Sequence, residues 1–336
     1  MNKNVVGIIG LGRIGKLHLD NIINNKSVQV KYVYDAFSKD INEYIKNYSG
    51  VTVAKEYDEI LNDKEVNVIF ICTPTTTHSE IIIKAAQANK NIFCEKPISF
   101  SEEETNAAYE AVKKANVKFQ IGFNRRFDKN FIDAKKAILE NKIGQLHILN
   151  ITSRDPEPPS LDYVKQSGGI FMDMAIHDFD MMRFISDSEV EEVYVNGAAL
   201  VNPAIAEVDD IDTAIISLKF ANKAIGSIDN SRQAVYGYDQ RLEAFGNMGK
   251  LNVKNNLQEN ICLANAESVI SSKPQWFFLE RYKEAYFLET KLFFEAITND
   301  TETSPNFLDG IKAQKIAKAA KQSLNSGKPE KVETIS

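Results

Sequence analysis

Residues 168–184 of this 336-residue chain read GGIFMDMAIHDFDMMRF, and place Asp173 four positions before His177. Far upstream, FCEKP at residues 93–97 carries Lys96. An imidazole can take a proton from a substrate hydroxyl near neutral pH, and a carboxylate beside it fixes the ring tautomer and raises its basicity. A lysine ammonium can hydrogen-bond the same oxygen and favour its alkoxide character as hydride leaves the carbon.

The element that must position the Asp–His pair reads as one helix. Residues three and four apart on a helix are neighbours, with Cβ atoms about 5–6 Å apart, so Asp173, His177 and Asp180 fall on one face. Phe171, Met172, Met174, Ala175, Ile176, Phe179, Met181, Met182, Phe184 and Ile185 make the remaining surface apolar nearly all round, which marks a buried helix. A polar stripe there must meet partners or line a cavity, because an unpaired buried charge is very costly. An internal Asp–His hydrogen bond that only holds the fold is the competing reading. Asp178 points to another side and receives no role.

Lys96 follows a strand. VVGII (5–9), VQVKYVYD (28–35), VNVIFIC (66–72), NIFC (91–94) and KFQIGF (118–123) read as short buried strands. Helical stretches such as SEIIIKAAQANK (79–90) and SEEETNAAYEAVKKA (101–115) separate them, the latter opening on a Ser101/Glu104 capping box. This alternation predicts an α/β domain with a parallel sheet covered on both faces. Ligands of open α/β sheets bind beyond the carboxyl ends of the strands, which is where Lys96 falls. Pro97 narrows the backbone choices of Lys96, and a cis bond is open to it.

GLGRIG (10–15) is a full G-x-G-x-x-G after a strand and at the start of a helix, the context a dinucleotide site needs. Gly10 permits the tight turn, Gly12 lets the backbone approach a pyrophosphate, and Gly15 lets helix and strand pack closely. Amides at the helix start, around Arg13 and Ile14, would face the anion. Asp35, at the end of the second strand, suits a ribose 2′-hydroxyl and would repel a 2′-phosphate. That favours NAD over NADP, with Lys39 the nearby charge that would suit a phosphate.

After residue 123 the rhythm changes. QLHILNITS (145–153), VEEVYVNGAAL, DTAIISLKF, KAIGSIDNS and YDQRLEAFG read as strands joined by short turns, hence a mostly antiparallel sheet. Helical stretches at about 276–299 and 307–325 close the chain. The expectation is a dinucleotide-binding domain over 1–123 and a substrate-binding and oligomerisation domain over 124–336, with the last helix able to pack back on the first.

The composition is that of a globular protein, 43% hydrophobic and 26% charged, and the net charge of -6 offers no basic face for nucleic acid. Three scattered cysteines suit a reducing compartment. With no signal-peptide layout and no run long enough to span a bilayer, the expectation is a cytoplasmic protein with neither nucleic-acid nor membrane partners. The four histidines and three cysteines show no metal-ligand spacing.

GLGRIG, EKP at 95–97, GFNRRFD at 122–128 and D-x-x-x-H at 173–177 together resemble the glucose–fructose oxidoreductase/inositol dehydrogenase/rhizopine-catabolism (Gfo/Idh/MocA) family over nearly the whole chain. SRDPEPP (153–159), residues 167–184 and YGYDQR (236–241) are most similar to its inositol 2-dehydrogenase branch. The resemblance implies a Rossmann domain, then an α+β domain with a large open sheet, and a homotetramer often assembled through those sheets. It implies Lys96, Asp173 and His177 as a catalytic trio. Thr73, Pro74, His78 and Glu95 would join the glycine loop along NAD, and Arg125, Asp155 and Tyr236 would grip substrate hydroxyls. The implied reaction oxidises a ring hydroxyl of myo-inositol to 2-keto-myo-inositol with formation of NADH. An NAD-dependent dehydrogenase of another sugar, polyol or hydroxy acid stays open, since Arg125 and Arg126 could serve a carboxylate. So does a non-catalytic nucleotide or sugar sensor on the same fold. His18 and His147 match no catalytic motif and read as structural.

Overall fold

The computed structural model describes residues 3–334. The chain divides into two compact units. One ends at Asn124 and also takes Glu284–Ile311; the other runs Arg125–Lys283 and resumes at Lys312.

The first unit is a doubly wound parallel sheet. Strands β1 (Asn4–Ile9), β2 (Val28–Tyr34), β3 (Thr52–Val53), β4 (Val68–Ile71), β5 (Asn91–Cys94) and β6 (Phe119–Ile121) pair in the order β3-β2-β1-β4-β5-β6. Helices α1 (Arg13–Ile22), α2 (Ile41–Ile45), α3 (Tyr57–Asn62), α4 (His78–Gln87) and α5 (Glu102–Ala115) cross between strands. All four residues of β4 are buried, as a strand covered on both faces requires. The order reverses between β1 and β4, and such switch points open the crevice where nucleotides bind.

The capping box of α5 forms only by half. Ser101 Oγ accepts the Glu104 amide at 3.3 Å, while the Glu104 carboxylate turns to Ser99 and Ser79. The helix Lys283–Asn299 brings Phe293 and Phe294 against Phe70, and Phe293 against Phe93, with ring centroids 5.8–5.9 Å apart.

The second unit is built on a seven-stranded mixed sheet. Its strands are β7 (Leu146–Arg154), β8 (Val190–Ala198), β9 (Thr213–Phe220), β10 (Ile225–Ser231), β11 (Asp239–Gly246) and β12 (Gly249–Val253), with β13 (Cys262–Ala264) and β14 (Val269–Ser271) forming a separate ribbon. With β15 (Glu330–Lys331) the order is β12-β11-β7-β10-β9-β8-β15. All pairings are antiparallel except β7 with β10. Helices α6 (Lys129–Leu139), α7 (Leu161–Ser167), α8 (Gly169–Asp173) and α9 (Ala175–Ser186) pack with it. Among the described residues no helix is long and apolar enough to cross a membrane.

The helix expected to run unbroken through Asp173 and Asp180 is two helices. The chain enters through two left-handed glycines, Gly168 (φ 80°) and Gly169 (φ 76°), and the Asp210 carboxylate anchors the Ile170 amide at 3.0 and 3.1 Å. Met174, at φ -97° and ψ -61°, breaks the cylinder, so Asp173 ends one helix and His177 lies in the first turn of the next.

Candidate active site

The glycine loop adopts the geometry a pyrophosphate requires. Gly10 sits at φ 93°, and a Cβ there would lie 2.6 Å from the Cys72 and Thr73 backbone. A Cβ on Gly15 would lie 2.0 Å from the Gly10 carbonyl oxygen, so α1 can approach β1 only with glycine. Around Gly12 a Cβ would meet nothing within 4 Å. That open side adjoins the start of α1, whose cap supplies no side-chain acceptor, so the first amides keep donors for an anion. Arg13 is exposed and Ile14 half-buried at this helix start.

The Asp35 carboxylate crosses from β2 to this loop. One oxygen accepts the Leu11 amide at 2.7 Å, and the other accepts the Phe37 and Ser38 amides, both at 2.8 Å. A carboxylate has about four acceptor positions, so room for a ribose hydroxyl remains. These residues fit NAD.

Two further loops of the first unit, and the helix start that follows one of them, hold predicted residues. After β4, Thr73 Oγ1 accepts from Thr77 at 2.7 Å, and Pro74 is exposed. His78, at the start of α4, is buried with Nδ1 2.7 Å from the Pro97 carbonyl and Nε2 2.8 Å from the Thr73 carbonyl. Burial pushes this imidazole below its usual range, while the two carbonyls pull it back up. His78 thus sits between the loop after β4 and the turn at Pro97. After β5, Glu95 Oε1 lies 2.7 Å from His18 Nε2. Lys96 is half-buried, and the Lys96–Pro97 bond is cis. Glu289, fully buried, is driven well above the usual carboxyl range by burial, with the Glu95 charge adding to the effect.

In the second unit the one parallel pair decides the layout. Register sets Ser231 against Arg154, so the carboxyl ends of β7 and β10 lie side by side and continue into Asp155 and Arg232. Asp155 is half-buried, its amide bonds the Ser231 carbonyl at 2.9 Å, and burial pushes its carboxyl up to about 6. Asp173 accepts from Tyr163 Oη at 2.8 Å and from Arg232 Nη1 at 3.2 Å. Arg232 is 1% exposed, and its Nε and Nη2 have no hydrogen-bond partner among the described residues.

The carboxylates of the apolar segment divide into two kinds. Asp178 and Asp180 are sealed, at 0% and 1% exposure, whereas Asp173 and His177 are half-buried. Asp178 takes Arg125 Nη1 at 2.5 Å and Asn230 Nδ2 at 2.9 Å. Arg125 also reaches Ser153 and Tyr238, so its donors face protein partners. Burial alone would lower this guanidinium, yet the Asp178 charge holds it above its ordinary value. Asp180 binds Arg126 through two bonds of 2.7 and 2.8 Å.

Tyr236 lies on a third, more exposed network. Its hydroxyl donates to Asp239 at 2.6 Å and accepts from Arg154, which pairs with Asp229. Sequence reasoning passed over Tyr163, Arg232 and Asp178. Asp178 carried a signal, as a third carboxylate in an apolar run; Tyr163 and Arg232 carried none.

A switch-point glycine loop, a carboxylate just past the second strand and, in the second unit, a half-buried aspartate and histidine on successive helices are the features of an NAD-binding oxidoreductase. Residues 5–123 match the oxidoreductase family with NAD-binding Rossmann fold, and residues 131–252 match the Gfo/Idh/MocA C-terminal domain. The chain belongs to the Gfo/Idh/MocA family.

It is 50% identical to an uncharacterized oxidoreductase, YrbE, of Bacillus subtilis, across 99% of this chain and 98% of that one. It is 42% identical to myo-inositol 2-dehydrogenase of Thermotoga maritima, across 98% and 99%. A probable dehydrogenase from Thermotoga maritima superposes with TM-score 0.95 at 41% identity, covering 98% of each chain. The scyllo-inositol dehydrogenase of Lactobacillus casei, solved with bound NAD(H) and scyllo-inositol, superposes with TM-score 0.91 at 27% identity, covering 99% and 100%.

Proposed function

We propose that this enzyme oxidises a ring hydroxyl of myo-inositol with NAD, releasing 2-keto-myo-inositol and NADH. His177 takes the hydroxyl proton. Asp173, held by Tyr163 and Arg232, orients the imidazole and steadies its charge. Lys96 donates to the reacting oxygen. Asp155, at the joined ends of β7 and β10, binds a neighbouring hydroxyl, and Tyr236 belongs to the outer rim. Arg125 supports this floor from beneath through Asp178. Bound NAD supplies the hydride acceptor.

The observation that carries the reading is the contrast among the carboxylates. Asp173 and His177 keep access where Asp178 and Asp180 are sealed by arginines. A purely structural Asp–His pair would have no need of that access. The full-length likeness to a myo-inositol 2-dehydrogenase supports the substrate class.

The proposal extends to a cytoplasmic homotetramer. On the open face of the second sheet Ile225, Ile148 and Phe245 stand in register across β10, β7 and β11, and Ile225 and Phe245 are exposed. Such a row suits burial against another copy. Light scattering of the purified protein reads the assembly directly.

A panel of myo-inositol, scyllo-inositol, other polyols and hydroxy acids, run with NAD and with NADP and followed by NADH absorbance, tests the reaction. Highest kcat/KM with myo-inositol and NAD is expected. A scyllo-inositol preference would reassign the stereoisomer, and no turnover of any substrate would return the sensor reading. His177→Ala should lower kcat by about 10²–10⁴-fold while NAD still binds. Equal rates for variant and wild type would remove His177 from the mechanism.

A further inference from the structure

Two histidines outside the catalytic trio hold the residues on either side of Lys96. His18, on α1, is 0% exposed, and its Nε2 lies 2.7 Å from Glu95 Oε1. Its ring packs against Phe93 and Phe70 at 4.8 and 5.6 Å and against Tyr286 at 5.9 Å. His78, on α4, is 1% exposed and bridges the Pro97 and Thr73 carbonyls at 2.7 and 2.8 Å.

We propose that His18 and His78 are positioning residues for Lys96: one tethers the side chain before it, the other the carbonyl after it, and together they fix the turn from which the ammonium projects. This rests on the reading of Lys96 as the group that donates to the reacting oxygen.

A residue just past a strand end has lost the sheet ladder that fixes its neighbours. Its place must come from other bonds, and a catalytic group displaced by about 1 Å can lose about 10²-fold in rate. A buried imidazole with no such task would be a poor choice among Phe70, Phe93 and Tyr286, because an apolar ring fills the same space without a polar group to satisfy. The His78 bridge adds a second restraint. The ring N–H donates to one of the two carbonyls in the neutral form and to both when the ring is protonated, and in either case the imidazole stays seated between Thr73 and Pro97, which ties the loop after β4 to the loop after β5. Supporting bonds behind a functional side chain are what hold it within productive geometry.

Side-chain amides separate the tether from simple packing. A glutamine amide nitrogen falls near the imidazole Nε2 position and an asparagine amide nitrogen near Nδ1. His18→Gln therefore keeps a donor for Glu95, and His18→Leu does not. His78→Asn keeps the bond to Pro97, adjacent to Lys96, and His78→Gln keeps only the bond to Thr73.

Two readouts are needed. The first is competitive labelling of lysines on the enzyme without cofactor, using a trace acylating reagent across a pH series, with the Lys96 peptide quantified by mass spectrometry. The second is kcat and KM on the substrate the panel identifies, beside the Kd for NAD. His18→Leu and His78→Gln should alter the Lys96 labelling profile and lower kcat by about 10–100-fold, with the Kd for NAD within about threefold. His18→Gln and His78→Asn should stay within about threefold of wild type in both readouts. His147→Gln, on an exposed position of β7, should leave the Lys96 profile unchanged.

An unaltered Lys96 profile in all four variants overturns the proposal. So does a loss that follows melting temperature and not the retained bond, with His18→Gln as damaging as His18→Leu. If His18→Leu does not fold, the two His78 variants decide alone. Lys96→Ala keeps the two claims apart. Full activity in that variant removes the catalytic role of Lys96, while labelling of the histidine variants still tests the tether.

Discussion

The cofactor loop of the first unit and the polar floor of the second are built on opposite plans. In the first, the loop is made of what is missing: Gly10, Gly12 and Gly15 carry no side chains, and the amides at the start of α1 are left as donors. In the second, it is made of charges folded against each other, with Arg125 on Asp178, Arg126 on Asp180 and Arg232 on Asp173. A backbone site tolerates almost any surrounding side chains but no added atom at its glycines. A site of buried ion pairs tolerates loss of both members far better than loss of one.

The largest effect that would test this contrast lies in the second unit. Arg125→Met leaves Asp178 buried beside Asn230 with its cation gone, and should destabilise the protein by about 3–5 kcal/mol. Removing both charges, as Arg125→Met with Asp178→Leu, should recover much of that loss, and comparing urea midpoints of the two variants reads it. If the double variant is no better than the single, the pair does more than neutralise itself, and Arg125 would regain a claim to a direct role at substrate.

The same contrast explains what the sequence disclosed. Gly10, Gly12, Gly15 and Asp35 sit at short spacings within one strand–helix–strand unit, so their geometry follows from local order alone. Lys96 could be placed because a strand end is legible from its apolar run. Arg232 and Asp173 are 59 residues apart and meet only where the end of α8 comes against the residue that follows β10, a tertiary contact that no local pattern announces. The break at Met174 also escaped, since no proline or glycine stands there to announce it. The share of 284–311 in the first unit rests on Phe293 and Phe294 finding Phe70, more than 200 positions away by their residue numbers. His18 read as structural because a lone histidine on a helix has no partner until the fold supplies Glu95.

In the first unit, two glycine variants should part company. Gly15→Ala drives a methyl against the Gly10 carbonyl oxygen, backbone that cannot turn aside, and should cost about 1–3 kcal/mol in stability as well as NAD affinity. Gly12→Ala has open space and an extended backbone, φ -68° and ψ -163°, so its melting temperature should hold. Its Kd for NAD should still rise by about tenfold or more, about 1.4 kcal/mol, because the methyl occupies the side where the pyrophosphate approaches. A Gly12→Ala enzyme with wild-type NAD affinity would move the dinucleotide off this loop.

The smallest effect is a pH dependence specific to the second unit. Burial raises the Asp155 carboxyl to about 6, with Asp173 adding to the rise and Arg232 and Arg125 opposing it. Between about pH 4 and pH 6 the folded chain holds this proton while the unfolded chain, with an ordinary aspartate near 3.9, has released it. The native state then binds more protons, so this group's contribution to stability falls as pH rises through the window and is fully unfavourable above it. Asp155→Asn cannot ionise and escapes the trend. Its stability should gain on wild type as pH goes from 4 to 7, by an amount on the order of 1 kcal/mol. Thermal melts of both proteins across that range measure the gap. A gap that stays constant with pH would mean Asp155 ionises freely in the folded protein, and would weaken its assignment to a desolvated corner that a substrate hydroxyl completes.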